Sequence, residues 1–219
     1  MNLRLYHYWR SSSSWRVRWA LELKRLECEL VAVNLLEGEQ GTSQHRARNP
    51  FGSVPVLEFP EYREGSKETP HRYLGESMAI LHWLETVQPT PALLPSGAVE
   101  KARVIQLAEL INAGVQPIQN LKVLQRVSPD PEARKIWAKE WITNGLTAYE
   151  ALVTETVGRF SYGDQITWAD LFLIPQVYNA LRYEVSLESF PTIARIHSAA
   201  SQTPECLASA PDRYEPKSR

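Results

Sequence analysis

Apolar positions near the start of the chain change period several times. Leu3, Leu5, Tyr6, Tyr8 and Trp9 make a short run of strand type. After Ser11–Ser14 the spacing turns helical from Trp15 to about Arg25, with Trp15 and Trp19 one turn apart on one face. Glu29–Asn34 (ELVAVN) alternates again, Val54–Phe59 (VPVLEF) reads as another strand and His71–Leu74 as a third, ahead of a helix with Ala79, Ile80, Trp83 and Leu84. The order β-α-β, a loop with room for a helix, then β-β-α predicts an α/β layer on a mixed sheet.

From Gln88 to Gly97 the chain concentrates Pro89, Pro91, Pro95 and Gly97, which is linker chemistry, and beyond it nothing reads as a strand. Val104, Leu107, Ala108, Ile111 and Val115 keep helical spacing, as do Trp137, Trp141, Gly145, Ala148 and Leu152. Thr167 to about Glu184 and Thr192 to about Ser201 give two further helices. The expected division is residues 1–87 as an α/β domain, 88–97 as linker and 98–219 as an all-α bundle.

Composition narrows the function classes. In 219 residues, 24 Lys+Arg stand against 25 Asp+Glu for a formal net charge of -1, which argues against a generic polyanion binder and so against nucleic acid as a partner. Arg4, Arg10, Arg16 and Arg18 interrupt the N-terminal apolar residues, so no secretory core is read there. No uncharged run approaches the roughly 20 residues of a membrane span. Cys28 and Cys206 form neither a CxxC pair nor a disulfide ladder, which points to a reduced cytoplasm. His7, His45, His71, His82 and His197 show no metal-ligand spacing, so no metal is expected. GxGxxG, P-loop and GxSxG motifs are absent.

The serine run carries the first chemical signal. One or two of the serines can cap the helix near Trp15. Yet a helix N-terminus prefers acidic neighbours, and here Arg16 and Arg18 fill the early turn with no Asp or Glu before Glu22. Hydroxyls, orphan N–H groups and arginines at one point are also what an anion site needs, so capping and anion binding both stand on the residues alone.

RSSSSWRVRWALELK (Arg10–Lys24) closely resembles the signature of zeta-class glutathione transferases, whose usual run is RSSCSWRVRIAL. The likeness continues, in the family's order, through NLLEGEQ (Asn34–Gln40), NPFGSVPVL (Asn49–Leu57), ESMAI (Glu76–Ile80), PTPALLP (Pro89–Pro95), GVQPIQNLKVL (Gly114–Leu124), GDQITWADLFLIPQV (Gly163–Val177) and APDR (Ala210–Arg213). It covers nearly the whole chain. The resemblance implies an α/β thioredoxin-like N-terminal domain plus an all-α C-terminal domain, glutathione as cofactor and a homodimer. Two departures stand out. Ser13 replaces the family's cysteine, and Phe59–Gly75 is longer than the family's tight hairpin, which predicts a solvated β-hairpin extension.

The resemblance makes Ser11 the catalytic hydroxyl, with Ser12 and Ser13 as secondary donors at the helix start. A free thiol with pKa near roughly 8.5 is mostly protonated at neutral pH, and a donated hydroxyl bond with a helix N-terminus shifts that balance. Tyr6 and Tyr8 are the competing hydroxyls and read better as core or rim residues. By resemblance Val54-Pro55 is a cis pair that leaves the Val54 backbone to glutathione; read alone, Pro55 is an edge proline. Glu76 and Ser77 match the γ-glutamyl site, although alone they are ordinary capping residues, and Gln40 matches a further glutathione contact.

Asn112, Gln116, Gln119 and Asn120 fall at i, i+4, i+7 and i+8, an amide stripe on one face of a long helix that Pro117 interrupts. Alone they satisfy backbone groups at a kink or a dimer interface; the resemblance places Gln116 and Asn120 near the ligand. Leu171, Ile174, Tyr178 and Arg182 share one face of a helix apolar almost all round, so burial is expected, and Arg182 needs an anion there. That anion is a structural carboxylate or, by resemblance, the substrate's. Arg16 is the second expected substrate-binding cation. Thr167 and Asp170 form a capping box with Ile166 and Leu171 as staple, assigned to folding.

The activity implied is glutathione-dependent cis-trans isomerisation of maleylacetoacetate to fumarylacetoacetate, a small dianionic substrate. Isomerisation of maleylpyruvate and conjugation of electrophiles such as haloacids lie within the same resemblance, and the non-enzyme alternative is a glutathione-fold binding protein.

Overall fold

The computed structural model describes residues 2–60 and 71–216. The chain divides into two compact units, Met1–Pro91 with Pro204–Arg219, and Ala92–Thr203.

In the first unit β1 (Leu3–His7) buries Leu3, Leu5 and Tyr6 and leads into α1 (Ser12–Leu23). Ser11 is the N-cap, extended at φ -69 and ψ 119, and its Oγ accepts the Ser14 N–H at 3.2 Å. Trp15, Val17, Trp19, Ala20 and Leu21 are buried along the helix. Next come β2 (Cys28–Ala32), the short α2 (Ser43–Arg48), β3 (Val56–Pro60), β4 (His71–Gly75) and α3 (Ser77–Val87). The strand order is β2-β1-β3-β4, with β1 parallel to β2 and antiparallel to β3, and β3 antiparallel to β4. This is the mixed sheet that the alternating periods predict. Of the expected hairpin extension, Phe59–Gly75, residues 61–70 lie outside the described residues; the remainder belongs to β3 and β4, which pair from Val56 with Gly75 to Pro60 with His71. Leu5, Val56 and Leu57 of the sheet and Ile80 and Leu84 of α3 are wholly buried, each stabilising the fold by about 1.5–3 kcal/mol over exposure.

Lys24, the C-cap of α1, is buried and fixes where the unit's first stretch ends. Its Nζ donates to Gln88 O at 2.7 Å and Pro91 O at 3.0 Å and pairs with Glu85 at 2.7 Å.

The second unit holds α4 (Ala98–Gly114), α5 (Leu121–Val127), α6 (Pro131–Val153), α7 (Trp168–Arg182) and α8 (Pro191–Ala200), and no strand among its described residues. Val104, Leu107 and Ile111 of α4, Ile142, Leu146 and Tyr149 of α6, and Leu171, Phe172 and Ile174 of α7 are buried. The expected capping box is present, with Asp170 accepting the Thr167 N–H at 2.9 Å and the Ser161 N–H at 2.8 Å. Burial, partly offset by these bonds, raises the Asp170 carboxyl above its ordinary range.

The amide stripe does not survive. α4 ends at Gly114, Gln116–Gln119 form a 3₁₀ turn with Pro117 in its first turn, and α5 starts afresh after Asn120. A proline ring and a missing N–H at position 117 end the ladder rather than kink it, so Asn112 and Asn120 never share a face.

α9 (Pro204–Ser209) and a 3₁₀ turn at Pro211–Tyr214 belong to the first unit, whereas 98–219 was expected to be one bundle. The cause is α1. Trp15 Nε1 donates to Ser209 Oγ at 3.0 Å and Arg18 Nε to Ser209 O at 3.0 Å, so the tail packs on that helix.

Candidate functional site

Sheet register builds the site. Tyr6 pairs with Val56, and Val56 pairs with Gly75. The turn leaving β1, the approach to β3 and the exit from β4 therefore lie at one end of the sheet. These segments carry Ser11–Ser13, Val54-Pro55 and Glu76-Ser77 respectively.

At the α1 N-terminus Ser11 and Ser13 are half-buried and Ser12 is buried. The Ser11 Oγ uses one lone pair on Ser14, and among the described residues its O–H donates to nothing, so the capping bond leaves the proton for a partner beyond the helix. No acidic residue stands in the first turn of α1 or of α3. Both helix ends thus offer N–H groups and positive dipole; at α1 no acidic residue stands against them, and at α3 the one carboxylate is that of the N-cap, Glu76.

Glu76 enters α3 at φ 62 and ψ 116 and provides no side-chain cap, so the α3 N–H groups stay available. Ser77 is buried, and its Oγ accepts from Arg16 Nη1 at 3.1 Å. Val54-Pro55 is cis. Just before it, Ser53 O is held by His45 Nε2 at 3.0 Å and Asn49 Nδ2 at 3.1 Å, while Val54 itself precedes the β3 ladder. Gln40 sits beside this loop. A Cβ on Gly52, whose φ is +66, would stand 3.0 Å from Gln40 O, so glycine permits the approach. The Gln40 Nε2 donates to Leu35 O at 3.5 Å, and its Oε1 is buried with no partner among the described residues.

The competing tyrosines are otherwise engaged. Tyr6 OH donates to Glu58 Oε2 at 2.7 Å, and burial, then that bond, pushes the phenol up. Tyr8 is buried in the core.

The N-terminal arginines differ from the expected open cluster. Arg4 pairs with Glu29 at 2.8 Å and Glu58 at 3.2 Å, and Arg10 lies over the Trp9 ring at 5.4 Å. Arg16 is wholly buried behind Ser77, and Arg18 is turned to backbone carbonyls. Burial places Arg16 as a support of the α3 N-terminus rather than a group at the solvent face. Charge counting missed this because it carries no burial. His45 and Asn49 also escaped the sequence reading; the NPFG turn beside Val54 was their only signal.

In the second unit Gln116 Nε2 donates to Asn120 Oδ1 at 2.7 Å, so the two amides hold each other across the 3₁₀ turn. Gln119 Nε2 donates to Gln176 Oε1 at 2.6 Å in the buried interior. Arg182, expected to be buried, is exposed at the last turn of α7, with Nη1 3.4 Å from Asn179 Oδ1. The apolar girdle of α7 ends at Ala180, which leaves Arg182 exposed beyond it.

The Glutathione S-transferase, N-terminal domain profile matches residues 5–92, and the Glutathione S-transferase, C-terminal domain profile matches 119–208. The maleylacetoacetate isomerase of Rattus norvegicus is 40% identical over 197 residues, 89% of this chain and 86% of that protein. The crystal structure of maleylacetoacetate isomerase from Anaeromyxobacter dehalogenans 2CP-1, with glutathione bound in its active site, is 46% identical with a TM-score of 0.87, covering 100% of this chain and 98% of that one. A maleyl pyruvate isomerase described as a bacterial zeta-class glutathione S-transferase is 36% identical with a TM-score of 0.88, covering 99% and 100%.

Proposed function

Because the chain belongs to the glutathione S-transferase family, in its zeta class, we propose that it isomerises maleylacetoacetate to fumarylacetoacetate with glutathione as cofactor. The observation that carries this reading is the convergence of two helix N-termini, with Glu76 at the head of the second, and the cis Val54-Pro55 at one end of the sheet.

The residues fit a bound tripeptide. Val54 offers an unladdered backbone to the cysteinyl unit, Ser77 and the α3 N-terminus receive the γ-glutamyl carboxylate, and Glu76 accepts its ammonium. Gln40, with its buried unpartnered oxygen, faces a donor of the ligand. Glutathione, when bound, supplies the thiolate that adds reversibly to the electron-poor alkene and so lets the cis double bond turn to trans. The Ser11 hydroxyl donates a hydrogen bond to the thiolate sulfur and keeps its own proton, and the N–H groups of Ser12 and Ser13 add the positive helix end, which together favour the ionised thiol near neutral pH. Gln116 and Asn120 are assigned to ligand binding, and Arg182, solvated at the end of α7, to a substrate carboxylate. Arg16 acts behind Ser77.

The similarity to a maleyl pyruvate isomerase keeps maleylpyruvate as a second substrate reading. We further infer a homodimer in a reducing compartment. Cys28 and Cys206 are free, and burial holds both thiols at about 12. Among the described residues no helix is long and apolar enough to cross a membrane.

Retention on immobilised glutathione, followed by isomerase assays on both cis substrates, tests the proposal; retention without turnover overturns it in favour of a binding protein. Ser11→Ala loses both the cap, about 1 kcal/mol, and the hydroxyl, with kcat down about a hundredfold. Ser11→Gly isolates the chemistry, since glycine caps nearly as well as serine yet has no hydroxyl. Near-normal turnover in Ser11→Gly removes Ser11 from the mechanism.

A further inference from the structure

Arg18 stands in the second turn of α1, and helical side chains lean back toward the N-terminus of their helix. Its guanidinium is buried and bonds two stretches of chain far apart in sequence, His7–Trp9 and Ser209. Nη2 donates to Trp9 O at 3.0 Å, Nη1 to Tyr8 O at 3.5 Å and to His7 Nδ1 at 3.1 Å, and Nε to Ser209 O at 3.0 Å. Arginine only donates, so His7 Nδ1 accepts and the neutral ring carries its proton on Nε2. Tyr214 closes the arrangement, its ring centroid 4.8 Å from the Arg18 Cζ and its edge-on contact with His7 at 5.7 Å.

The Tyr8 carbonyl that Arg18 holds also accepts the Ser11 N–H, at 3.1 Å, while the Tyr8 N–H lies 3.4 Å from Ser14 Oγ. The turn from Tyr8 to Ser11 is thereby fastened to α1 at both of its ends. Burying a guanidinium sacrifices its hydration, and an apolar residue of like size would fill the space without that cost. Only a planar fork can bond carbonyls from three directions; a lysine is a single point of charge.

We propose that Arg18, backed by Ser209 and Tyr214 of the C-terminal segment, is a positioning residue that holds the Tyr8–Ser11 turn so that the Ser11 hydroxyl meets the glutathione sulfur. The inference rests on Ser11 acting on that sulfur. Arg18 touches neither ligand nor substrate; it fixes the Tyr8–Trp9 side of a turn whose Ser11 side is already held by the cap to Ser14 and the Trp15 N–H. The C-terminal segment then affects catalysis without contributing a group to it.

Thiolate formation on bound glutathione, followed by ultraviolet difference absorption across a pH series, is the readout that a merely structural role would not move. In Arg18→Met the thiolate pKa rises by about one unit, which is about tenfold less thiolate below that pKa. The kcat falls about tenfold while KM for glutathione stays within about twofold, because the Val54 and Ser77 contacts lie on other elements. Arg18→Lys, which can reach one carbonyl, falls between, with a loss of about threefold. A folded Arg18→Met with wild-type thiolate pKa and kcat overturns the inference. Should that variant fail to fold, Tyr214→Leu carries the test: the ring backing the guanidinium is gone, kcat drops about twofold to threefold and the thiolate pKa moves the same way. No movement there overturns the inference equally. A wild-type protein with no thiolate signal overturns the Ser11 reading itself, a result distinct from a normal wild type and an unaffected variant.

Discussion

His7 ends β1 against a cation, and that sets how the protein responds to acid. Its imidazole is buried, with Arg18 Nη1 at 3.1 Å and the Tyr214 ring on another side. Burial first, then Arg18, lowers its pKa from 6.5 to about 4. Between those values the unfolded chain binds a proton that the folded chain refuses. The stabilisation is therefore complete above about pH 6.5 and is lost as pH falls through about 4, on the order of 3 kcal/mol. His197, also lowered by burial, adds a slope of the same sign. Asp170, raised by burial, gives the opposite slope, favouring the fold on the acid side of its window. Urea unfolding along a pH series checks this: His7→Gln, whose side-chain oxygen still accepts from Arg18, flattens most of the acid loss. An unchanged slope would assign the sensitivity elsewhere. Nothing in the sequence distinguishes His7 from the other four histidines, because its behaviour comes from a cation eleven residues on and a tyrosine from the tail.

Elements were legible in proportion to their length. α1, α4 and α7 have enough turns for an apolar stripe to show, and Thr167 with Asp170 marks the start of α7; α6 is long enough to read as a helix, but it buries Ala138, Ile142, Leu146, Tyr149 and Val153 rather than the line through Trp137, Trp141 and Ala148. α5 and α9, of 7 and 6 residues, are too short for a period and escaped. The amide stripe failed for a different reason: periodicity was carried through Gly114 and Pro117, the two residues that stop α4 and tighten the next turn. Gly145 in α6 has a packing role that composition hides. A Cβ there would collide with the side chain of buried Val115, whose branching at Cβ leaves it little room to turn. Gly145→Ala should thus lower stability by about 1–3 kcal/mol, although alanine is the better helix former. Chemical denaturation reads the effect. Combination with Val115→Ala should be less damaging than the sum of the two, and a neutral Gly145→Ala would remove the contact from the account.

For the whole molecule, proline content marks 88–97 as linker and the first unit's long stretch ends at Pro91, whereas nothing in the sequence signals the return of the tail. Membership of Pro204–Arg219 in the first unit depends on Trp15 and Arg18 bonding to Ser209, contacts across almost the full length of the chain. The same arginines correct the charge picture. With a net charge of -1 and four N-terminal arginines, the sequence suggests a neutral protein hiding an electropositive mouth. In the structure Arg4 is paired with carboxylates, Arg10 stacks on Trp9, and Arg16 and Arg18 are buried in hydrogen bonds. Anion affinity in the first unit then rests on helix N-termini and backbone N–H groups, which act over about one turn rather than as a long-range field. Exposed charges steer ligands across a Debye length, and salt screens them; buried bonds and oriented N–H groups are screened much less. The expected outcome is that kcat/KM for glutathione at fixed substrate changes less than about threefold from about 0.05 to about 0.5 M sodium chloride. A steep fall over that range would mean that exposed arginines, Arg182 foremost, draw the anions in, and would return the charge cluster to the mechanism.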